Sequence, residues 1–196
     1  IQFAGQDLLG LPPYRIAAVG IARTFQNLAL VPGLSVVENV MVGAHSRSTG
    51  GFWAAAAWFP QRAQEKRERD QALEVLERLD LADVAFQPCA GLPFGTLKRI
   101  ELARALMSSP RLMLLDEPAS GLTHSEVDEL GEVIRELRDE FDLSVLLVEH
   151  HMAMVMAISD HIVVMDVGMK ISEGEPEEVR SDPTVIAAYL GESTEA

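Results

Sequence analysis

Short apolar runs alternate with longer amphipathic segments along this chain, and the alternation predicts the fold class. Runs of four apolar residues are too short for typical helices and suit strands buried in a sheet. They occupy residues 112–115, 145–148 and 162–165. Between them lie two predicted helices, residues 125–140 with Ser125 as N-cap and residues 151–158. Strands separated by helices favour an α/β protein whose sheet has parallel members.

The rest of the chain adds helices, a further strand and a hairpin. Residues 21–25 read as a strand that leads into a loop at Gln26, and residues 169–174 return as the second strand of a hairpin. Residues 35–43 fit a helix, because Ser and Glu at the first and fourth positions form a capping box. The other predicted helices are residues 12–17, 61–79 and 97–107, and residues 46–60 are interpreted as a loop or irregular insertion.

The composition is that of an ordinary globular protein with an uneven charge. Hydrophobic residues make up 48% and charged residues 23% of the 196-residue chain, and no apolar run approaches the roughly 20 residues that span a bilayer. The net charge of −14 argues against nucleic acid as the main partner. Residues 116–196 hold 20 of the 30 acidic side chains, which predicts solvated acidic helices there. The single cysteine excludes an internal disulfide.

Two adjacent carboxylates follow the first of the three apolar runs. Asp116 and Glu117 stand at the carboxyl end of the strand predicted at residues 112–115, where open α/β sheets bind ligands. One carboxylate can hold Mg²⁺, directly or through water, and the other can polarise an attacking water. The pair therefore suits nucleotide hydrolysis, and a strand followed by an N-capping aspartate is the structural alternative.

Four other motifs accompany these carboxylates in a fixed order. They are Arg-Thr-Phe-Gln-Asn at residues 23–27, Leu-Pro-Phe-Gly-Thr at residues 92–96, Ser-Gly-Leu-Thr at residues 120–123 and Val-Leu-Leu-Val-Glu-His at residues 145–150. Together with Asp116 and Glu117, they resemble in order and spacing the ATP-binding subunits of ABC transporters, and most closely those of bacterial branched-chain amino acid importers. The resemblance extends over essentially the whole chain, to the tail at residues 178–191.

The resemblance implies a P-loop NTPase-like nucleotide-binding domain with a mostly parallel sheet flanked by helices. Its partial α/β core comprises residues 1–29 and 96–175, its helical subdomain residues 30–95, and its tail residues 176–196. The Walker A loop, Gly-x-x-x-x-Gly-Lys-[Ser/Thr], cradles phosphates in this family and does not occur in the sequence. We expect the chain to be the C-terminal portion of such a domain, with natural loss of the loop as the alternative, and to hydrolyse no ATP alone.

The resemblance also implies roles for residues at three predicted strand ends. Glu117 matches the general base that deprotonates the attacking water, and Asp116 matches the residue that holds Mg²⁺, usually through water. Gln26 matches a glutamine that binds ATP by reaching Mg²⁺ or the catalytic water. His150 matches a histidine that hydrogen-bonds the γ-phosphate, with a satisfied histidine at a strand end as the alternative. His151 follows where related proteins usually carry aspartate.

Two further segments match loops that contact ATP held by the other subunit of a dimer. Residues 92–96 stand in the place of the family's Leu-Ser-Gly-Gly-Gln signature, with Phe94, Gly95 and Thr96 as implied ATP contacts. This signature segment departs from the common form, since Pro93 replaces serine and Thr96 replaces glutamine; an ordinary helix cap is the alternative. Residues 120–123 match the D-loop, with Ser120 and Gly121 as implied contacts.

The implied function is that of the ATP-hydrolysing subunit of an importer for branched-chain amino acids, with ATP and Mg²⁺ bound. Implied partners are a second ABC ATPase subunit, identical or different, two membrane permease subunits that dock near residues 26–43, and indirectly a substrate-binding protein. The implied location is the cytoplasmic face of the bacterial inner membrane. Two alternatives remain open: the ATPase of another ABC class, such as urea or lipopolysaccharide transport, and a non-catalytic, P-loop-less subunit that lends Gly95 to a complete partner.

Overall fold

The computed structural model describes residues 1–24, 28–47 and 58–191, with residues 45–47, 58–62, 190 and 191 described as backbone only. The strands are β1 (Gln2–Phe3), β2 (Gln6–Asp7), β3 (Ile21–Arg23), β4 (Leu112–Asp116), β5 (Ser144–Val148), β6 (Ile162–Asp166) and β7 (Met169–Gly174). The helices are α1 (Val36–Met41), α2 (Trp58–Arg78), α3 (Phe94–Leu106), α4 (His124–Glu140), α5 (Met152–Ile158), α6 (Pro176–Ser181) and α7 (Pro183–Gly191). Segments of 3₁₀ helix lie at Pro13–Arg15, Ala17–Val19, Val42–Arg47 and Ala82–Val84.

The predicted α/β class is confirmed, because a parallel sheet lies among helices. Strands β3, β4 and β5 pair side by side in that order, with Ile21 opposite Leu112 and Leu112 opposite Ser144. Helix α4 supplies the crossover from β4 to β5 that parallel neighbours need. Within the described residues β6 pairs only with β7, antiparallel, so the predicted hairpin is confirmed.

The predicted start of α4 is wrong by two residues. The N-cap is Thr123, and Oε2 of Glu126 accepts hydrogen bonds from the Thr123 amide at 2.8 Å and from its hydroxyl at 2.7 Å. Ser125 is also followed by an acidic residue three positions later, so the local pattern offers two equivalent starts. The longer side chain of Glu126 reaches back to the cap and favours Thr123. The capping box predicted for α1 is confirmed.

Two other local expectations are corrected. Residues 12–17 form no continuous helix but parts of two short 3₁₀ segments. Helix α2 begins at Trp58, so the end of the predicted insertion at residues 46–60 is helical, and residues 48–57 lie outside the described residues. In the part of the chain that the structure describes, no helix combines the length and the apolar character needed to cross a membrane.

One hydrophobic cluster joins the helical region to the sheet. It contains Val36 and Val40 of α1, Leu76 of α2, Ile100 of α3 and Met113 of β4, all at most 2% exposed. A second, smaller cluster lies under the C-terminal helices and contains Ile162, Val179 and Val185. The continuous core fixes α3 and α4 against the sheet, and the segments at the starts of both helices carry predicted site residues.

Gly43 packs directly against the backbone of α3. A Cβ at this position would lie 1.8 Å from the backbone oxygen of Arg104 and 2.9 Å from its carbonyl carbon. Because backbone atoms cannot step aside as side chains do, we expect Gly43→Ala to lower the free energy of unfolding by about 1–3 kcal/mol. Urea denaturation of the protein measures this. Gly10→Ala is the matched control, since a Cβ there meets nothing within 4 Å. Equal midpoints for the two variants would contradict the prediction.

Candidate functional site

The carboxyl ends of the three parallel strands meet at one edge of the sheet. Asp116 is the last residue of β4 and lies opposite Val148, the last residue of β5. The Thr24 amide, directly after β3, donates a hydrogen bond to the Leu114 carbonyl at 3.0 Å. Asp116, Glu117 and His150 are therefore brought to the same edge, as the strand predictions require. Gln26 lies outside the described residues.

Asp116 carries an exposed ion pair. Its Oδ2 accepts a hydrogen bond from Nη2 of Arg23 at 3.0 Å, and the two side chains are 39% and 55% exposed. Carboxylate oxygens are the ligands that Mg²⁺ prefers, and the exposure of Asp116 leaves it accessible to a hydrated cation. The donor chemistry of Asp116 thus fits Mg²⁺. The Arg23 guanidinium is the group with which the cation would compete.

Glu117 has an unusual backbone conformation. Its φ is +45°, in the left-handed region that few residues other than glycine adopt. Two hydrogen bonds hold this turn: the Glu117 amide donates to the Val148 carbonyl at 2.9 Å, and the Ser120 amide donates to the Glu117 carbonyl at 3.1 Å. Such strain persists only where the surroundings enforce it, and it is common at functional sites. The turn places the predicted general base immediately after the strand.

Glu149 is the residue that sequence reasoning missed. Its side chain is fully buried. Its Oε1 accepts from the Ala119 amide at 2.8 Å, and its Oε2 accepts from the amides of His150 at 2.9 Å and His151 at 3.2 Å. Burial opposes ionisation, but the hydrogen bonds from the His151 ring and the backbone amides outweigh it and hold the pKa of Glu149 below its ordinary value. The local signal in the sequence is a carboxylate that directly follows the apolar run at residues 145–148 and precedes a histidine.

The two adjacent histidines have different surroundings. Nδ1 of His151 lies 2.9 Å from Oε2 of Glu149, within hydrogen-bond distance, and its side chain is 31% exposed. Nδ1 of His150 lies 3.6 Å from the same oxygen, and its side chain is 65% exposed. The ring centroids are 4.5 Å apart. His150 is thus the more exposed of the two histidines, and His151 lies against Glu149. The assignment of His150 to the γ-phosphate stays a prediction.

Glu149, His150 and His151 also bring potential metal-ligating atoms within 4.8 Å of one another. The Glu149 oxygens already accept from three backbone amides, and Nδ1 of His151 lies at hydrogen-bond distance from one of them. A metal ion would have to displace these buried hydrogen bonds. The group is therefore best described as a hydrogen-bonded cluster that organises the two loops.

The signature segment forms the start of α3. Phe94 is the first helical residue, and Pro93 occupies the N-cap position without a side-chain cap. A cavity of about 190 Å³ opens between the starts of α3 and α4. Its lining comprises Pro93, Gly95, Thr96, Arg99, Leu122, Glu126, Glu129 and Leu130. Nη2 of Arg99 donates to Oε2 of Glu129 at 2.8 Å, which ties the two helices together.

Two glycines let the signature segment and the D-loop pack closely. Gly121 has a φ of +84°, and a Cβ there would lie 3.0 Å from Cε1 of Phe94. A Cβ at Gly95 would lie 2.9 Å from Oε1 of Glu126, the capping residue of α4. The predicted residues thus form two groups. Asp116, Glu117 and His150 lie at the strand ends, whereas Phe94, Gly95 and Thr96 lie at the helix starts with Gly121. Ser120 lies between the two groups, because its amide donates a hydrogen bond to the Glu117 carbonyl and it directly precedes Gly121.

A larger cavity, of about 620 Å³, lies away from both groups, between α5, α6 and α7. Its lining is mainly apolar and includes Met152, Met156, Val185, Ile186 and Tyr189. It contains none of the predicted site residues. The candidate site is an open sheet edge, where two loops present polar groups to solvent, and not this groove.

Comparison with known proteins gives two matching sequence families. The family described as ABC transporter matches residues 1–120, and the family described as branched-chain amino acid ATP-binding cassette transporter matches residues 169–195. The chain is 41% identical over 194 residues to the high-affinity branched-chain amino acid transport ATP-binding protein BraF of Pseudomonas aeruginosa. It is 40% identical over 194 residues to the corresponding protein LivG of Escherichia coli K12. Each alignment covers 98% of this chain and 76% of the relative.

Solved structures give the same picture. An ATP-binding cassette of an ABC transporter in its ADP conformation superposes with a TM-score of 0.79 at 29% identity, covering 96% of this chain and 75% of that one. A nucleotide-free ATP-binding cassette from an ABC transporter superposes with a TM-score of 0.78 at 27% identity, covering 95% and 75%. The fold predicted from the five motifs is therefore confirmed.

Proposed function

Because the chain belongs to the ABC transporter family of ATP-binding subunits, we propose that the full-length subunit hydrolyses ATP to drive an importer of branched-chain amino acids. The observation that carries this proposal is the pair of adjacent strand ends, where Asp116 ends β4, Glu117 follows it, and His150 lies just after β5. The family match at residues 169–195 and the relatives BraF and LivG support the substrate class.

In this proposal each strand-end residue has one chemical task. Glu117 takes a proton from the water whose oxygen attacks the γ-phosphorus, while the bond to the bridging oxygen breaks and ADP leaves. His150 hydrogen-bonds the γ-phosphate and keeps the water in line. Asp116 would hold Mg²⁺ through water, and Gln26 would be a second contact. When bound, Mg²⁺ supplies positive charge against the phosphate oxygens.

The helix-start residues serve a second subunit. Phe94, Gly95 and Thr96 present the first turn of α3, whose amides and positive dipole end favour a phosphate. Ser120 and Gly121 of the D-loop contact the same neighbouring site. We therefore propose that two such subunits enclose ATP between them. Closing and reopening of that dimer would move two permease subunits at the cytoplasmic face of the membrane, and a substrate-binding protein would select the amino acid.

The test is transport by the assembled complex. The full-length subunit, its second ATPase subunit and both permease subunits are reconstituted in proteoliposomes with the substrate-binding protein. We expect Mg²⁺-dependent ATP hydrolysis and uptake of labelled leucine, with the complex carrying Glu117→Gln in this subunit as the inactive control. Uptake of urea in place of leucine would overturn the substrate class. A complex in which the Glu117→Gln variant transports at the parent rate would overturn the catalytic role and favour a non-catalytic subunit.

A further inference from the structure

We propose that Glu149 is a positioning residue for ATP hydrolysis, whose two carboxylate oxygens hold the turn after β4 and the backbone at His150 in one fixed arrangement. The inference rests on the proposed function and deepens it, because it assigns a role to a residue of the motif at residues 145–150 to which the resemblance gives none. The bond between the Glu117 amide and the Val148 carbonyl is the last backbone link described between these two strand ends. Beyond this hydrogen bond, the Glu149 side chain connects the turn after β4 to the backbone at His150.

Each oxygen of this carboxylate serves a different loop. Oε1 accepts from Ala119, two residues after the general base and directly before the D-loop. Oε2 accepts from the backbone amides of His150 and His151, and lies 2.9 Å from the His151 ring nitrogen. One rigid group thus fixes the distance between the turn that carries Glu117 and the residue predicted to bind the γ-phosphate.

The burial of Glu149 makes this arrangement demanding. A fully buried carboxylate is unfavourable unless hydrogen bonds compensate its lost hydration, and here three amides and an imidazole lie around it. The compensation depends on both loops being in place, since Ala119 belongs to one loop and His150 to the other. Displacement of either loop would leave buried charge short of a partner. The carboxylate therefore favours the arrangement in which Glu117, the D-loop and His150 keep fixed relative positions.

Glu149→Gln tests the proposal with a side chain of the same size. Glutamine keeps one acceptor oxygen but presents an NH₂ group in place of the other. The backbone N–H groups of one loop then face the hydrogens of that NH₂ group instead of an acceptor lone pair. We expect kcat for ATP to fall roughly 10- to 100-fold in the full-length subunit, because small misplacements at a reacting centre have effects of that size. The KM for ATP should change less than about threefold, since nucleotide contacts remain.

A second readout separates positioning from general stability. Amide hydrogen exchange of Glu149→Gln, well below the unfolding temperature, should show faster exchange at Ala119 or at His150 and His151. The amides of Leu115 and Leu147 inside the strands should stay protected. Glu149→Asp keeps both acceptor oxygens on a shorter stem, and its kcat should lie above that of the glutamine variant. Glu173→Gln is the matched control, because that carboxylate contacts Lys170 and His161 on the exposed β6–β7 hairpin.

The outcomes distinguish this inference from the proposed function. If Glu117→Gln abolishes hydrolysis while Glu149→Gln keeps the parent kcat, the positioning role is overturned and the proposed function stands. If Glu149→Gln loses activity only in proportion to unfolded protein, with strand amides exchanging faster as well, the role is purely structural and the inference fails. If Glu117→Gln hydrolyses ATP at the parent rate, the proposed function fails first, and the inference fails with it.

Discussion

Glu117→Gln in the full-length subunit is expected to bind ATP with the parent affinity and to hydrolyse it about 10²–10⁴-fold more slowly. Glutamine keeps the length of the side chain and can still hydrogen-bond a water, but it cannot accept the proton that the attacking water must lose. The backbone turn at φ +45° is set by bonds to Val148 and Ser120, which the change does not touch. The substitution should therefore slow the chemical step of hydrolysis and leave ATP binding unchanged.

Single-turnover hydrolysis and nucleotide titration of the same preparation measure the two quantities separately. Glu173→Gln applies the same chemical change to an exposed carboxylate far along the chain and should leave both unchanged. Parent-like turnover in Glu117→Gln would remove this residue from its role as base. A loss of ATP affinity equal to the loss of turnover would show that Glu117 acts in binding and not in proton transfer.

The positions of Asp116, Glu117 and His150 could be predicted because they follow from local pattern and one rule of topology. Short apolar runs mark the strands, and parallel neighbours end at the same edge of a sheet. Each of these three residues stands within two positions of a run's end. The prediction needed only the pairing of β4 with β5, and a single helix connects these two parallel strands.

Glu149 could not be predicted in the same way, because its role depends on a contact with Ala119, thirty positions earlier in the chain. A glutamate next to a strand end reads as a solvated side chain, and only the packing of two loops shows that this one is buried. The hairpin of β6 and β7, by contrast, could be predicted, because residues 169–174 return directly after the apolar run at residues 162–165. Among the described residues β6 pairs only with β7, antiparallel.

The start of α4 shows a local ambiguity of a different kind. Thr123 and Ser125 are both good N-caps, and each is followed by an acidic residue three positions later. The choice depends on whether the acidic side chain reaches the cap, and Glu126 does so at 2.8 Å. The position of this cap matters for the candidate site. Glu126, the capping residue of α4, lies against Gly95 and lines the cavity beside the signature segment.

Gly95→Asp is expected to damage the ATP site of the partner subunit and to spare the site of the subunit that carries it. At the first turn of α3 the new carboxylate would face a phosphate held by the partner. A like-charge contact of about 3 kcal/mol corresponds to about 100-fold weaker binding. In a heterodimer with one substituted subunit, photolabelling with an azido-ATP analogue and separation of the subunits shows which subunit has lost nucleotide.

The structure adds a competing effect within the same subunit, which the controls must separate. A Cβ at Gly95 would lie 2.9 Å from Oε1 of Glu126, so any side chain there disturbs the cap of α4. Gly95→Ala introduces that contact without charge, and the difference between the alanine and aspartate variants isolates repulsion of the phosphate. Gly10→Asp adds the same charge where a Cβ meets nothing within 4 Å and should leave labelling unchanged. Loss of labelling on the substituted subunit itself would mean that Gly95 acts in cis, and the enclosed dimer site would have to be abandoned.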